Sequence, residues 1–277
     1  DRLKEAYQKV AYFRGIEQFR NKQYADAVAM FDRSLTYREK NPDLNARALY
    51  WRGESNYRLG NNNAAVTDWE SFRKLPAASA MDEYDLTDYN LGYVWYNSGD
   101  YSKALPHFMA YVNKADQSER PDMVIDARNR IADCYYIRAD YPSAISSYDK
   151  VIDYGKVDAD YAMFQKGFAQ GLNNNNAAKI TTLTGLITKY PKSTYVPNAL
   201  FERGRAYVAT EQPSRGEADF TNIIAWYTGS QFVPPAMVQL GLIYYNAGEN
   251  EKAVAQFKKV IENYRNTPEA RNAVNGL

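Results

Sequence analysis

The chain has 277 residues, of which 45% are hydrophobic and 24% charged, and its formal net charge is +1. That composition excludes wholesale disorder, and the interspersion of both signs of charge excludes the basic stripe by which nucleic-acid binders displace counterions from phosphates. No apolar run reaches bilayer-spanning length, so no membrane-spanning segment is expected, and a single cysteine, Cys134, excludes an internal disulfide and a cysteine-rich metal site.

Taken in chain order, the sequence repeats itself about every 35 to 40 residues, the range of helix-pair repeats. Each unit opens with a small residue followed about four positions later by an aromatic, then a turn, then Ala with an aromatic four residues on. Four-residue spacing places both members on one helical face. The first unit, about 8–41, has Gly15 and Phe19, then Ala27 and Phe31. The second, 46–79, has Gly53 and Tyr57, then Ala65 and Trp69; here Arg52 and Asn56 stand where apolar residues are expected. The third, 85–118, has Gly92 and Tyr96, then Ala104 and Phe108. Pro106 lies inside its second helix and is expected to kink it, and the adjacent His107, the only histidine, reads as a surface residue. The acids Asp82, Glu83, Asp85 and Asp88 read as helix-start residues that meet the helix dipole. The fourth unit, 125–158, has Ala132 and Tyr136, then Ala144 and Tyr148, with Cys134 as a small buried hydrophobe. The fifth, 160–193, keeps Gly167 but has Gly171 for the aromatic and Lys179 for the Ala, around an Asn173–Asn176 turn; it is expected to be the weakest unit. The sixth, 197–230, has Gly204 before Tyr207, and the seventh, 234–267, has Gly241 and Tyr245, then Ala253 and Phe257. A further helix begins at 268–277, cut short, and with Asp1 rather than Met at the start this suggests a segment of a longer repeat chain.

Gly or Ala at the first position allows two antiparallel helices to approach closely, and the aromatic of the second helix then fills the groove. The intervening turns, Leu59-Gly60-Asn61, Ser98-Gly99-Asp100 and Ala247-Gly248-Glu249, carry helix-stop and helix-cap chemistry. One pair cannot bury its own apolar stripe, so stacking is required. The 25 tyrosines suit such a fold, which has much half-buried surface for a ring with a polar tip. The expected architecture is all-α: a superhelical solenoid of about seven helix-turn-helix units forming a single domain over 1–277.

These units resemble the tetratricopeptide repeat, most fully from Asp88 to Ala104 with Phe108, where only Asp88 departs, standing at the first aromatic position. A narrower resemblance lies in Lys189-Tyr190-Pro191-Lys192-Ser193-Thr194-Tyr195, and more loosely in Asn263 to Ala270. These are similar to the joints of bacterial cell-envelope repeat proteins, the outer-membrane assembly lipoprotein and the Tol–Pal coordinator. That resemblance implies a periplasmic or outer-membrane-associated location in a Gram-negative bacterium, with the cytoplasm as the alternative.

The family resemblance also implies that the first helix of each pair lines a concave face that takes a protein or extended peptide. Carried onto this sequence, the lining is Tyr50 and Glu54; Tyr89, Asn90, Tyr93 and Asn97; Asn129, Arg130 and Asp133; Gln165 and Phe168; and Arg205. Amides donate and accept, which suits a peptide backbone, and aromatic walls suit side chains. The Lys/Asn/Arg set with which some members clamp a carboxyl terminus is missing, since Tyr12 and Ile16 occupy its first positions. No phosphate loop, zinc-protease motif or nucleophile elbow is present. The expected function is therefore a non-enzymatic interaction scaffold without cofactor or metal. Two alternatives remain open: a glycan-binding envelope protein on the same scaffold, and an α-helical glycosidase-type domain. Oligomeric state and the partner's identity are not encoded in these patterns.

Overall fold

A computed structural model describes residues 1–114 and 120–277; the end of the expected third repeat, 85–118, falls partly outside them. The described residues form fifteen α-helices and two compact units, Asp1–Cys134 and Tyr135–Leu277.

The first unit contains α1 (Arg2–Arg20), α2 (Tyr24–Leu35), α3 (Pro42–Arg58), α4 (Asn62–Arg73), a 3-10 turn at Pro76–Ala80, α5 (Glu83–Asn97), α6 (Tyr101–Lys114) and most of α7 (Pro121–Ile137). The close-approach argument appears here as geometry. A Cβ built on Gly15 would meet the Phe31 ring at 2.7 Å, one on Gly53 would meet Trp69 at 2.7 Å, and one on Gly92 would meet Phe108 at 2.8 Å. Phe31, Trp69 and Phe108 are fully buried, and the Trp69 indole N–H donates to the Tyr50 carbonyl at 3.1 Å, so the largest ring leaves no buried donor unsatisfied. The unexpected Arg52 of the second repeat is explained by Asp68 of α4. Its Nε and Nη2 donate to the two carboxylate oxygens at 2.9 and 2.7 Å, and Nη1 reaches Asp32 at 2.7 Å.

The second unit contains α8 (Tyr141–Tyr154), α9 (Ala159–Leu172), α10 (Asn176–Lys189), α11 (Val196–Ala209), α12 (Pro213–Trp226), α13 (Val233–Asn246), α14 (Asn250–Asn263) and α15 (Pro268–Asn275). The same packing recurs: Gly204 lies under Phe220 and Gly241 under Phe257, whereas Gly167 lies under Leu183, an aliphatic side chain in place of a ring. Arg203 and Asp219 repeat the bidentate pair at 2.8 and 2.6 Å. The two oddities of the fifth repeat explain each other. A Cβ on Gly171 would meet Lys179 at 2.8 Å. The glycine thus makes room for the lysine, whose Nζ is buried against Glu202 at 2.6 Å and lies 5.5 Å from the Phe168 ring centroid.

Helix ends follow their sequence signals. Asn41 accepts from the N–H groups of Asp43 and Leu44, with Pro42 in the first turn, and Asp140 caps Ser143 with Pro142 in the first turn. The seven turns inside the helix pairs each contain a residue in the left-handed region, Lys22, Gly60, Gly99, Ala139, Asn174, Glu211 and Gly248, with φ between 59° and 82°; Gly155 and Asp158 take it in the connection from α8 to α9. Only three of the seven are the glycine that takes this conformation without a Cβ penalty. Helix α6 runs without a break through Pro106.

Two expectations are corrected here. Asp88 does not cap a helix, and His107 is not a free surface residue. Asp88 is 1% exposed and holds Arg73 Nη1 at 2.7 Å and His107 Nδ1 at 3.0 Å, with Lys114 Nζ at 4.0 Å. It lies beyond the first turn of α5, where the dipole argument lapses. A carboxylate with cationic partners fills the position that the repeat usually gives to an aromatic ring. Glu83 and Asp85 do stand in the first turn of α5, and Glu83 also accepts from Arg47 at 2.7 Å.

Candidate functional site

In the first unit, the opening helices of successive pairs are joined by a ladder of side-chain hydrogen bonds. The ladder exists because each repeat presents Tyr, Asn or an acid at matching helical positions. Between α3 and α5, Asn90 Nδ2 donates to the Tyr50 hydroxyl at 3.1 Å and lies 3.3 Å from Glu54 Oε2. Arg58 holds the other Glu54 oxygen at 2.9 and 3.0 Å, and Asn97 Nδ2 reaches the Tyr57 hydroxyl at 3.1 Å. Between α5 and α7, the Tyr89 and Tyr93 hydroxyls both donate to Asp126 Oδ2, the first at 2.8 Å. Tyr96 donates to Asp133 at 3.2 Å, and Arg130 lies 2.9 Å from the same carboxylate.

This arrangement holds the phenols neutral. Burial, reinforced by the Asp126 carboxylate, pushes Tyr89 and Tyr93 well above the ordinary phenol range. Burial and Asp133 push Tyr96 up to about 12. Tyr50 is raised mainly by burial, with the Glu54 charge adding to it. A neutral phenol is a fixed donor to a carboxylate, so the ladder holds its side chains in place.

The sequence-derived residues divide by burial. Tyr50, Glu54, Asn129 and Asp133 are closed off from solvent. Tyr89, Asn90, Tyr93 and Arg130 are half-buried within the ladder, and Asn97 is exposed. In the second unit Gln165 and Phe168 are half-buried and Arg205 is exposed. Gln165 donates to the Tyr161 hydroxyl at 3.1 Å. Phe168 and Arg205 border a cleft of about 270 Å³ above the Lys179–Glu202 pair. Asn129 joins no network: neither its amide oxygen nor its nitrogen has a hydrogen-bond partner among the described residues. Sequence reasoning passed over Asp126 and read the ladder residues Tyr57 and Tyr96 only as packing aromatics. The signal for Asp126 was present, since Asp126, Arg130 and Asp133 form one stripe at helical spacing on α7. Among the described residues, no group of three or more His, Cys, Asp or Glu is placed to hold a metal ion, and no helix is long and apolar enough to cross a membrane.

Paired antiparallel helices with a small residue under a large side chain once per pair define a helical-repeat protein. The chain is similar to tetratricopeptide-repeat proteins: one tetratricopeptide repeat model matches residues 14–71, and a second matches 161–193 and 235–267. Solved structures of the same kind cover nearly all of it. The C-terminal part of a tetratricopeptide repeat-containing protein from Cytophaga hutchinsonii is 18% identical, with a TM-score of 0.76 over 96% of this chain and 99% of that one. A tetratricopeptide repeat protein from Parabacteroides merdae is also 18% identical, with a TM-score of 0.58 over 98% of each chain. YrrB, described as a tetratricopeptide repeat protein with an unusual peptide-binding site, is 17% identical, with a TM-score of 0.54 over 67% of this chain and 87% of its own. No curated protein matches the chain.

Proposed function

We propose that the chain is a non-enzymatic scaffold that takes an extended segment of a partner protein along the opening-helix face of its first unit. The observation that carries this reading is the ladder itself. It fixes the half-exposed amides and phenols of Asn90, Tyr89 and Tyr93 in one array. Groups already held in place lose little rotamer freedom on binding, so their contacts convert into affinity. The opening helices of the first unit also carry the exposed Phe13, 54% accessible, and the exposed Asn97 and Arg58, which supply an apolar anchor, an amide and a cation. The buried Tyr50, Glu54, Asn129 and Asp133 would support this face from beneath rather than touch a partner. In the second unit, the cleft beside Phe168 and Arg205 offers a place for a partner side chain. The peptide site of YrrB, on a related fold, is consistent with this mode of use.

Site-specific photo-crosslinking tests the proposal. A photoreactive side chain placed at Phe13 or Asn97 is expected to capture a partner from source-cell lysate, whereas the same group at Asn63, on the second helix of its pair, is not. Capture from Asn63 alone would move the site to the other face. The envelope location is part of the same proposal and is tested by fractionation of the source cell.

A further inference from the structure

The joints between repeats supply an internal control that isolates one residue. Helices α10, α12 and α14 are each followed by a tyrosine, Tyr190, Tyr227 and Tyr264, whose N–H returns to the carbonyl of the residue four before it at 2.8 to 2.9 Å. Three residues later the N–H of Ser193, Ser230 or Thr267 returns to that tyrosine's carbonyl at 2.8 to 3.1 Å. The three joints are therefore built alike. The last helical residue is Lys189 in the first, Trp226 in the second and Asn263 in the third. All three are exposed, so the fold asks for a polar residue there, and nothing in the joint requires an indole. Trp226 is nevertheless 78% accessible.

Trp226 stands on the rim of a cleft of about 530 Å³ between the first two joints, wholly within the second unit. That volume lies within the ~300–1,000 Å³ typical of small-ligand sites. Every lining residue is uncharged, in a chain that is 24% charged. The Ser193 and Ser230 hydroxyls are occupied, accepting from the Tyr195 and Phe232 N–H groups at 3.1 Å. Four other polar side chains of the lining, Thr194, Asn198, Thr228 and Gln231, make no side-chain hydrogen bond among the described residues.

We propose that this cleft is a binding site for a neutral oligosaccharide, with Trp226 as its stacking platform. A sugar ring presents an apolar C–H face to the electron-rich face of an indole. Its hydroxyls both donate and accept, as do the amides and hydroxyls waiting here. The absence of charge disfavours phosphorylated, acidic or basic ligands, which would lose hydration without a counter-charge. A proline-rich peptide is the weaker candidate, because such peptides dock between several exposed aromatic ridges, whereas Tyr227 and Phe232 are packed against the core. The inference does not rest on the protein-binding face of the first unit.

The test is titration of the full chain with neutral gluco-, galacto- and manno-configured oligosaccharides of four to six sugars. Binding is read by tryptophan emission and by saturation-transfer NMR. At least one series is expected to bind wild type and shift its emission to the blue. Trp226→Asn and Trp226→Lys, which install the residues of the neighbouring joints and so keep the fold, are expected to weaken it at least about tenfold. Asn198→Ala is expected to weaken it several-fold. No binding by any of the neutral series, equal binding by wild type and Trp226→Asn, or occupation of the cleft by a proline-rich peptide instead, would each overturn the proposal.

Discussion

The smallest scale at which this fold makes a decision is a single missing or misplaced atom. At Gly92 the decision is steric. Its hydrogen faces the ring of a fully buried phenylalanine, and a methyl group there would stand 2.8 Å from Phe108 carbons. The ring sits at the centre of a packed helix pair and has little room to yield. Gly92→Ala is therefore expected to destabilise the first unit by about 1–3 kcal/mol, the usual cost of overpacking, as measured by urea denaturation. At Asn129 the decision is electrostatic and runs the other way. Its amide is 1% exposed and unpaired at both ends. A buried polar group without a partner costs about 1–3 kcal/mol. Asn129→Leu, close to it in volume, is expected to raise stability by about 1 kcal/mol. A fall in stability instead would show that the amide is satisfied in solution.

Helices and turns show how much could be read before the structure and why the rest could not. The repeat of a small residue beneath a ring is legible because it depends on residue size at fixed spacing, and both survive in one dimension. The capping of α3 by Asn41 and of α8 by Asp140 is equally local. What stayed hidden are polar contacts across helices. Asp88 reads as a helix-start acid until Arg73 and His107, from two other helices, are brought to it. Gly171 and Lys179 read as two separate defects until they are seen to be one accommodation. A charge pattern along the chain does not say which distant charge will meet it. The site shares that limit: the repeat pattern picks out opening-helix positions, but does not show that Tyr89, Asn90, Tyr93 and Arg130 are engaged in hydrogen bonds and ion pairs with residues of neighbouring helices or their own. Two predictions belong at this scale. Lys179→Met leaves a carboxylate that is 8% exposed with the more distant Arg205 guanidinium, 3.4 Å away, as its remaining cation and is expected to cost about 3 kcal/mol, whereas Lys179→Met with Glu202→Leu recovers most of it. The turns are graded in the same way. Glu211 holds φ at 60° with a Cβ, where Gly99 holds 82° without one. Glu211→Gly is expected to stabilise by about 1 kcal/mol and Gly99→Ala to destabilise by about as much, both read from thermal or urea melts.

At the scale of the molecule, the tyrosine ladder gives the two units unequal tolerance of alkali. Tyr12, Tyr50, Tyr89, Tyr93, Tyr96 and Tyr111 of the first unit are all raised above the ordinary phenol value, with burial as the leading cause. In the second unit Tyr136 is raised, and Tyr244 is pushed up to about 12 by burial and Glu217. The sign follows from linkage. A phenol whose folded pKa exceeds its unfolded value of about 10 stays protonated in the folded chain while the unfolded chain releases its proton. Its stabilising contribution is complete below pH 10 and declines as pH rises toward the folded value. In a repeat protein, stability is the sum of local units and their interfaces, so the unit with more such phenols loses more. The first unit is expected to unfold at lower pH than the second as pH is raised from 9 to 12. The reporters are already in place: Trp51, Trp69 and Trp95 lie in the first unit and Trp226 in the second. Emission of a Trp226→Phe variant would follow the first unit alone, and tyrosinate absorbance would count the phenols released with it. Phenol release spread evenly over that range, without a preceding change in tryptophan emission, would mean that the ladder does not hold its protons in solution.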